Sequence, residues 1–395
     1  MSDIILTLNV GSSSIKAAAY RRGGGPALDG APALEAHFSG VGARPHFEIG
    51  ADAAPRAVEL TAEVGSTHSG ALEFALRHIG EALHGDPVAA VGHRVVHGGR
   101  DFAEPVQLTP DIEAQLTELV PLAPGHQPHN LAGVRAARAA WPDAPQIACF
   151  DTAFHRTQPE VAQMFAIPRD YYDQGVLRYG FHGLSYDYIA EAARDLIPAE
   201  ERSRMIVAHL GAGASMCAIH DGQSVATTMG FTALDGLPMG TRCGSLDPGV
   251  VLSLLMDHGM SVDDVAACLY KKSGLLGLSG LSGDMRDLEA SDDPRARTAI
   301  EYFVYHIAAE IGRLAAILGG VQSVVFTAGI GENSAATRAA VIEKSAWLGA
   351  SLDADANAGR GARRITTSGG GVSFWVIPTD EERVIADAAA QLINA

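Results

Sequence analysis

Two stretches of the chain share one pattern, in which an apolar strand, a glycine-containing turn and a second apolar strand follow one another directly. The first is LTLNVGSSSIKAAAY at residues 6–20, and the second is RMIVAHLGAGASMCAIHDGQSVATT at residues 204–228. A unit that recurs within one chain predicts two structurally related halves. This repetition restricts the fold to α/β architectures that contain the same strand–turn–strand unit twice.

Neither turn matches the common nucleotide-binding loops. A P-loop requires a glycine immediately before its lysine, whereas Lys16 follows Ile15. LGAGAS lacks the last glycine of the dinucleotide motif GxGxxG. Backbone N–H groups in glycine turns can nevertheless bind phosphate without a helix N-terminus. The two turns, with a third glycine-rich turn GIGEN at 329–333, therefore predict a phosphate-binding site.

Apolar runs and glycine or proline breaks predict the remaining elements. We expect strands at Asp3–Val10 and Ile15–Tyr20 around the first turn, and a long helix at 298–318. PVAAVGHRVV and PQIACF are expected to be buried strands, the second of which stops at Asp151. FWVIPTDEERVIADAAAQLI predicts a strand, a proline turn and an amphipathic helix.

Length and charge limit the possible functions. A chain of 395 residues suits two domains. A formal net charge of −17 argues against nucleic-acid binding, and an anionic substrate would need a local cationic pocket. The four cysteines form no C-x-x-C pair, the first residues lack a basic signal-peptide region, and no apolar run approaches a membrane span. We therefore expect a cytoplasmic protein with reduced thiols and no membrane partner.

Eight motifs then occur in one order along nearly the whole chain: LNVGSSSIK, GHRVVHGG, CFDTAFH, YGFHGLS, HLGAGAS, MGTRCGSLDP, FTAGIGENS and IPTDEE. In this order they resemble the acetate kinase family, which includes propionate and butyrate kinases, within the actin-like and sugar-kinase superfamily. The resemblance implies duplicated ribonuclease-H-like domains with ATP in an interdomain cleft. It also implies dependence on Mg2+ or Mn2+ and a homodimer. The N-terminal domain would comprise residues 1–150 and 383–395, and the nucleotide-binding domain 151–382.

The resemblance also assigns catalytic roles. Arg94 and Arg242 would flank the transferring phosphoryl group, and His126 and His182 would reach its equatorial oxygens. Asp151 would be the catalytic acidic residue. The metal would be held by Asn9 and Glu381, with Ser12 and Lys16 near the phosphates.

The same resemblance assigns the binding residues. Those near the nucleotide would be Ser12, Lys16, His209, Gly211, Ala212, Gly213, Asp284, Met285, Arg286, Gly329, Ile330, Gly331, Glu332 and Asn333. The acyl pocket would be formed by Arg94, Val96, Gly125, Phe181 and Ala233.

The implied reaction converts a short-chain carboxylate and ATP to an acyl phosphate and ADP. A carboxylate is already ionised at pH 7 and needs no general base. Repulsion between the anionic substrates is the main barrier, at about 4 kcal/mol per unit pair near 4 Å at an effective dielectric of 20. Arginine, lysine and a metal ion would reduce this repulsion. Asp151 is therefore expected to bind Mg2+ through water or to orient Arg94.

Each residue also has an ordinary structural explanation. Asp151 is at a strand end, where aspartate often caps a turn, and Arg94 in an apolar strand suits a buried ion pair. His182 suits a core histidine and Lys16 a solvated strand end. Glu381 lies in an acidic cluster that also suits the first turn of a helix.

Four positions depart from the usual family sequence. Ala212 replaces the asparagine of HLGNGAS, which removes one hydrogen bond expected to the nucleotide phosphates. YGFHGTSH becomes YGFHGLSY, with Tyr186 in place of a histidine. LAPLHNP becomes LAPGHQP and TPLEG becomes TALDG, with Gly125 for leucine and Ala233 for proline. The smaller side chains predict room for propionate and butyrate unless Gln127 or a shifted loop fills the gap.

Two other functions remain open at this point. A sugar or glycerol kinase of the same fold would need a base for its hydroxyl nucleophile. A nucleotide-gated, actin-like scaffold would not require Arg94 and Arg242.

Overall fold

The computed structural model describes residues 3–23, 27–51, 55–61 and 64–394. The chain forms two compact units. The first unit is Met1–Ala153 with Asp380–Ala395, and the second unit is Phe154–Thr379. Residues 151–153 and 380–382, which the sequence-based division assigned to the second domain, thus belong to the first unit.

The described strands are β1 Asp3–Val10, β2 Ser14–Arg22, β3 Leu34–Ser39, β4 His46–Gly50, β5 Arg56–Val58, β6 Val88–Val95, β7 Val106–Gln107, β8 Gln146–Phe150, β9 Arg204–Leu210, β10 Ala214–His220, β11 Gln223–Thr227, β12 Ser323–Thr327, β13 Arg363–Arg364 and β14 Ser373–Val376.

The described α-helices are α1 His68–Ala82, α2 Pro110–Glu118, α3 Gln127–Ala140, α4 Glu160–Gln163, α5 Arg169–Asp173, α6 Gly183–Leu196, α7 Pro248–Met256, α8 Val262–Lys271, α9 Gly274–Ser279, α10 Met285–Glu289, α11 Pro294–Ile317, α12 Ala328–Asn333, α13 Ala335–Lys344, α14 Ala354–Ala358 and α15 Glu381–Leu392. Short 3-10 helices occupy Val120–Leu122, Ala153–Thr157, Ala199–Glu201 and Ala346–Leu348.

The sheet of the first unit has the order β5-β4-β3-β2-β1-β6-β8-β7. Strands β1, β2 and β3 are antiparallel neighbours, and β1 pairs in parallel with β6, which pairs in parallel with β8. The glycine turn joins β1 to β2, so Asn9 lies opposite Lys16 in the ladder. The predicted strand Asp3–Val10 and its hairpin partner are both present.

The sheet of the second unit repeats this arrangement with the order β11-β10-β9-β12-β14-β13. Antiparallel β9, β10 and β11 correspond to β1, β2 and β3, and parallel β12 and β14 correspond to β6 and β8. The same five-strand order in both sheets confirms the duplication expected from the two glycine turns. Both turns therefore leave the first strand of their sheet at the same end.

Helices cover these sheets at close range. A Cβ on Gly92 of β6 would lie 2.5 Å from Ile385 Cγ2 of α15, and one on Gly133 of α3 would lie 2.7 Å from Val10 Cγ2. Contacts this short require glycine, because any side chain would push helix and sheet apart. The helix α15 thereby belongs to the core of the first unit, although it is about 290 residues away from β6 along the chain.

Two elements differ from the sequence prediction. The long helix α11 begins at Pro294 rather than 298, because Asp293 caps it through the Arg295 N–H and proline suits the first helical position. GIGEN is not a turn after β12 but the short helix α12. Among the described residues, no helix combines the length and apolar character needed to cross a membrane.

Candidate active site

In the first unit, polar side chains gather where β1, β6 and β8 end. The Arg94 guanidinium donates from Nε to Asp151 Oδ1 at 3.0 Å and from Nη2 to Oδ2 at 2.5 Å. Its Nη1 donates to Asn9 Oδ1 at 3.2 Å. Asp151 is 1% exposed, so its charge is compensated mainly by this bidentate pair. Asp151 therefore orients Arg94, which is one of the two roles predicted for it.

Burial and neighbouring charges shift the pKa values of Arg94 and Glu381. Burial lowers the pKa of Arg94, but the adjacent Asp151 carboxylate more than offsets this and raises the pKa overall. Burial raises the pKa of Glu381 to about 7, with Arg94 and Lys16 opposing and Asp151 and Glu382 reinforcing the shift. Burial, reinforced by the neighbouring carboxylates, therefore disfavours the charged form of Glu381.

The first glycine turn is closed by a backbone hydrogen bond and is largely exposed to solvent. Gly11 N–H donates to the Ser14 carbonyl at 2.8 Å, while Ser12 and Lys16 are exposed to solvent. His68 Nε2 donates to the Gly11 carbonyl at 2.8 Å. His68 begins α1, and no sequence motif indicated its contact with this turn. Its position depends on a partner 57 residues away, so local pattern could not reveal it.

The start of α3 holds the chain after β6. Asn130 donates to the Val10 carbonyl and accepts from Val96 N–H. Gln127 is fully buried, with its amide bonded to the backbone N–H and carbonyl of His97. Gln127 therefore does not fill the space at Gly125, where a Cβ would meet no heavy atom of a described residue within 4 Å. His126, predicted as catalytic, is the N-cap of α3 and partly exposed.

In the second unit, the side chains of an arginine and a histidine converge on the second glycine turn. A Cβ on Gly213 would lie 3.0 Å from Arg242 Nη2 and 3.3 Å from His182 Nε2. The Arg242 guanidinium is held by its Nη1, which donates to the Ala233 carbonyl at 2.6 Å. His182 has the left-handed conformation, with φ 59°, which costs energy for a non-glycine residue.

The two histidines near this turn are held by serines. His182 Nδ1 lies 2.8 Å from Ser215 Oγ, and His209 Nδ1 lies 2.8 Å from Ser185 Oγ. Their rings stack with centroids 4.1 Å apart. Phe181, predicted to line the acyl pocket, is buried, and its carbonyl accepts a hydrogen bond from His155 Nε2 at 2.9 Å.

A cavity of about 560 Å³ lies beside the same turn within the second unit. This size suits a small-molecule ligand. Its lining includes the predicted residues Gly211, Ala212, Asp284, Met285, Arg286, Gly329, Ile330 and Asn333. It also includes residues that the sequence analysis did not select: Gly240, Thr241, Gly283, Glu289 and Ser334. The predicted nucleotide residues His209, Gly213, Gly331 and Glu332 do not line it.

The glycines of this cavity allow two backbone segments to meet. A Cβ on Gly283 would lie 2.7 Å from the Gly240 carbonyl oxygen, and one on Gly240 would lie 2.9 Å from the Gly283 carbonyl oxygen. Gly240 lies inside MGTRCGSLDP, one of the eight motifs of the sequence analysis, and Gly283 lies in LSGDMRDL at residues 281–288. Asp284 caps α10 and binds the Arg286 side chain, so these two residues are paired with each other.

Glu332 has a structural role in the second unit. Its Oε1 accepts from Ala328 N–H at 2.9 Å and from Thr379 N–H at 3.3 Å. Ala328 has φ 64°, in the left-handed region that an L-residue with a Cβ rarely adopts. Glu332 therefore stabilises the entry into α12 and fixes the last residue of the second unit.

No group of three or more histidine, cysteine, aspartate or glutamate side chains in the described part of the chain is arranged to hold a metal ion. Mg2+ commonly uses only one or two carboxylates and takes its other ligands from water and phosphate. Asn9 and Glu381 supply oxygen donors of this kind, and burial disfavours the charge of the Glu381 carboxylate in the absence of a cation, so these two residues fit such a site.

Two mixed sheets with one five-strand order define the duplicated fold of the actin-like and sugar-kinase superfamily. The sequence profile of the acetokinase family matches residues 4–387. The chain therefore belongs to the acetokinase family.

Individual relatives agree with this assignment. The chain is 52% identical to an acetate kinase of Rhodopseudomonas palustris, over 98% of this chain and 97% of the relative. Among solved structures, it is similar to the acetate kinase of Porphyromonas gingivalis, with a TM-score of 0.86, 35% identity and 99% coverage of both chains. A propionate kinase of Francisella tularensis gives a TM-score of 0.88, 34% identity and 98% coverage of both chains.

Proposed function

We propose that this protein transfers the γ-phosphoryl group of ATP to a short-chain carboxylate, reversibly, to give an acyl phosphate and ADP. A carboxylate oxygen forms the new bond to phosphorus, and the bond from phosphorus to the β,γ-bridging oxygen breaks. Acetate, propionate and butyrate are the candidate acceptors. No proton transfer is required, because the nucleophile is already an anion.

One observation carries this proposal. Arg242 Nη2 and His182 Nε2 converge beside Gly213, and the neighbouring residues Gly211 and Ala212 line the cavity. A nucleotide in that cavity would direct its phosphates toward a guanidinium and an imidazole. Fixed donors at this point stabilise charge that develops on the phosphoryl oxygens.

Arg94 supplies positive charge for the carboxylate. Three of its five N–H groups are bonded to Asp151 and Asn9, and the other two, which have no hydrogen-bond partner in the described part of the chain, can bind an anion. Because Asp151 holds the guanidinium through two nitrogens, its plane is fixed before the substrate binds. Asp151 acts here as a positioning residue and not as a base.

Mg2+ is the proposed metal, with Asn9 and Glu381 as its protein ligands. When bound, it neutralises phosphate charge. Its positive charge would also lower the pKa of Glu381 from about 7, so that this carboxylate remains ionised during turnover. Lys16 lies opposite Asn9 in the β1–β2 ladder and contributes a further positive charge.

We also propose a cytoplasmic homodimer. Helix α7, PGVVLSLLM, contains no charged residue and has no residue buried within its own chain. Leu252 is 56% exposed and Met256 is 78% exposed. A second copy of the chain would cover this apolar surface. The cytoplasmic location is supported by the use of ATP and by four cysteines that form no disulfide among the described residues.

The test is the formation of acyl hydroxamate from ATP, Mg2+, hydroxylamine and each of acetate, propionate and butyrate. We expect product with at least one acid and a 100- to 1,000-fold lower kcat for Arg242→Ala. Arg295→Ala, which removes an exposed arginine of α11, is the matched control and should retain wild-type turnover. Phosphorylation of glycerol or a sugar in place of carboxylates, or ATP hydrolysis without any acceptor, would contradict the proposal.

A further inference from the structure

A chain of two hydroxyl groups runs inward from His182. His182 Nδ1 lies 2.8 Å from Ser215 Oγ, and the Tyr186 hydroxyl lies 2.5 Å from that same oxygen. Ser215 belongs to β10, and Tyr186 lies one turn after His182 on α6. Both are fully buried, and among the residues that the structure describes neither hydroxyl has another partner.

The direction of the protons along this chain follows from counting donors. If the Tyr186 hydroxyl donates to Ser215 Oγ and Ser215 donates to His182 Nδ1, every O–H group has an acceptor. If His182 instead carries its proton on Nδ1 and donates to Ser215, one of the two buried O–H groups is left without an acceptor. Leaving a buried donor unpaired disfavours the second arrangement by about 5- to 150-fold, the equivalent of about 1–3 kcal/mol.

Tyrosine suits this role because it keeps its proton. Burial, and the nearby Cys217, raise the pKa of Tyr186 well above its usual value, so the hydroxyl remains a donor at any working pH. The acetate kinase family usually has histidine at this position. A histidine nitrogen can accept as well as donate, so it would not fix the direction of the chain.

The direction matters at the other ring nitrogen. Nε2 of His182 faces the same point beside Gly213 as Arg242 Nη2. With the proton on Nε2, imidazole and guanidinium both present N–H groups to an anionic oxygen. With the proton on Nδ1, the imidazole would present a lone pair and repel that oxygen.

We propose that Tyr186 and Ser215 are positioning residues, which hold His182 as the neutral tautomer with its proton on Nε2. The tautomer is a property of the protein without substrate. Its importance for phosphoryl transfer rests on the proposed function, because it makes His182 a donor to a phosphoryl oxygen.

The test is long-range 1H–15N correlation spectroscopy of protein labelled with 15N-histidine, without nucleotide and near pH 7.5. The His182 signals are assigned by their loss in His182→Gln. We expect a protonated Nε2 and an unprotonated Nδ1 in the wild-type protein. A protonated Nδ1 or an imidazolium at His182 in the wild-type spectrum would overturn the proposal.

The variants identify the residues responsible. Ser215→Ala should lower the ratio of the Nε2–H to the Nδ1–H tautomer at least about fivefold, and Tyr186→Phe should lower it by a smaller factor. Ser185→Ala, which removes the equivalent serine from His209, is the matched control and should change the His209 signals but not the tautomer of His182. An unchanged His182 tautomer in Ser215→Ala would refute the role of the chain.

The spectrum also separates this proposal from the proposed function. If the wild-type protein has the Nε2–H tautomer but forms no acyl phosphate, the proposal about the hydroxyl chain stands and the proposed kinase activity is wrong. Acyl phosphate formation with the wrong tautomer would do the reverse. Measuring kcat and KM for ATP in Ser215→Ala completes the test, since loss of a donor to the phosphoryl group should lower kcat more than it raises KM.

Discussion

At the scale of single residues, the proposed catalytic groups are held by specific partners rather than by general packing. Asp151 accepts hydrogen bonds from Arg94 with both carboxylate oxygens, the Ala233 carbonyl accepts one from Arg242, and Ser215 is hydrogen-bonded to His182. Each partner removes rotational freedom from a long or reactive side chain before any substrate binds. Substitution of a partner residue should therefore alter catalysis, although the partner itself does not contact the substrate.

Gly125 gives a prediction about acyl chain length. If it faces the acyl group, as the resemblance implies, the open space at its Cβ position admits one or two methylenes, each favoured by about 0.8 kcal/mol on burial. We expect kcat/KM for propionate to equal or exceed that for acetate. Gly125→Leu should favour acetate by about 10- to 200-fold relative to the wild-type protein.

Gly80→Leu is the matched control for this substitution. Gly80 also has open space at its Cβ position and lies in α1 of the same unit. It should leave the ratio of propionate to acetate turnover unchanged. A wild-type preference for acetate over propionate of tenfold or more would eliminate the enlarged pocket.

His93 gives a prediction about pH. It is 1% exposed, and its Nε2 donates to Gln146 Oε1 at 2.7 Å. Burial lowers its pKa from 6.5 to about 4. Between these values the unfolded chain binds more protons than the folded protein. The free energy of unfolding should therefore fall by up to about 3 kcal/mol as the pH drops from 6.5 to 4.

Urea denaturation at several pH values measures this effect. His93→Phe should flatten the dependence on pH in that interval, although it lowers the overall stability. His220→Gln, at an exposed histidine, should leave the slope unchanged. An identical slope in His93→Phe and in the wild-type protein would show that other groups dominate acid unfolding.

At the scale of secondary-structure elements, α12 is the segment whose structure differs most from the sequence prediction. GIGEN was expected to be a turn because two glycines in five residues disfavour a helix. The structure forms a helix there because groups outside the motif satisfy its ends. Glu332 binds the Ala328 N–H, and Arg338 donates to the carbonyls of Gly331 and Glu332.

Glu332 should therefore act on stability rather than on nucleotide contact. Glu332→Ala leaves the Ala328 and Thr379 N–H groups without this acceptor and should lower the free energy of unfolding by about 1–3 kcal/mol. Glu332→Gln keeps an oxygen acceptor and should restore most of it. Urea denaturation and calorimetric titration with ADP measure the two properties. A stable Glu332→Gln protein that no longer binds ADP would contradict this assignment.

The sequence predicted elements better than it predicted their distant partners. Strand β1 could be predicted because its apolar run and the glycine that ends it are local signals. Asn130 could not, because it accepts from a residue 34 positions away and donates to one 120 positions away. The partners of Gln127 and His68 could not be predicted for the same reason. Glu332 was placed in the nucleotide site by its motif, whereas in the structure its carboxylate accepts from Ala328 and Thr379 N–H and the residue does not line the cavity.

At the scale of the whole molecule, the chain leaves the first unit after Ala153 and returns to it at Asp380. The two related halves were predictable from the two glycine turns, but the strand order that both sheets share was not. The interruption of the first unit was also expected, but its boundaries depend on which segments pack together. Asp151 and Glu381 belong with β6 and β1, and only tertiary contacts show this.

Helix α7 gives the prediction for the assembled protein. Leu252→Glu with Met256→Glu should convert a dimer to a monomer, since both side chains are exposed in the single chain and a charge in an apolar interface is costly. Multi-angle light scattering measures the mass. Val161→Glu, at a highly exposed valine of α4, is the matched control and should remain dimeric. A wild-type protein that is monomeric at micromolar concentration would exclude the dimer.

The return of α15 to the first sheet also has a consequence for biosynthesis. The ribosome makes β1–β8 early, but the helix that packs against Gly92 is made only after the roughly 230 residues of the second unit, about 10 to 45 s later at ordinary elongation rates. During translation the contiguous second unit can finish folding first. Until α15 is made, the face of the N-terminal sheet that it covers remains exposed. A chaperone that binds ribosome-attached chains would find its apolar target on this face.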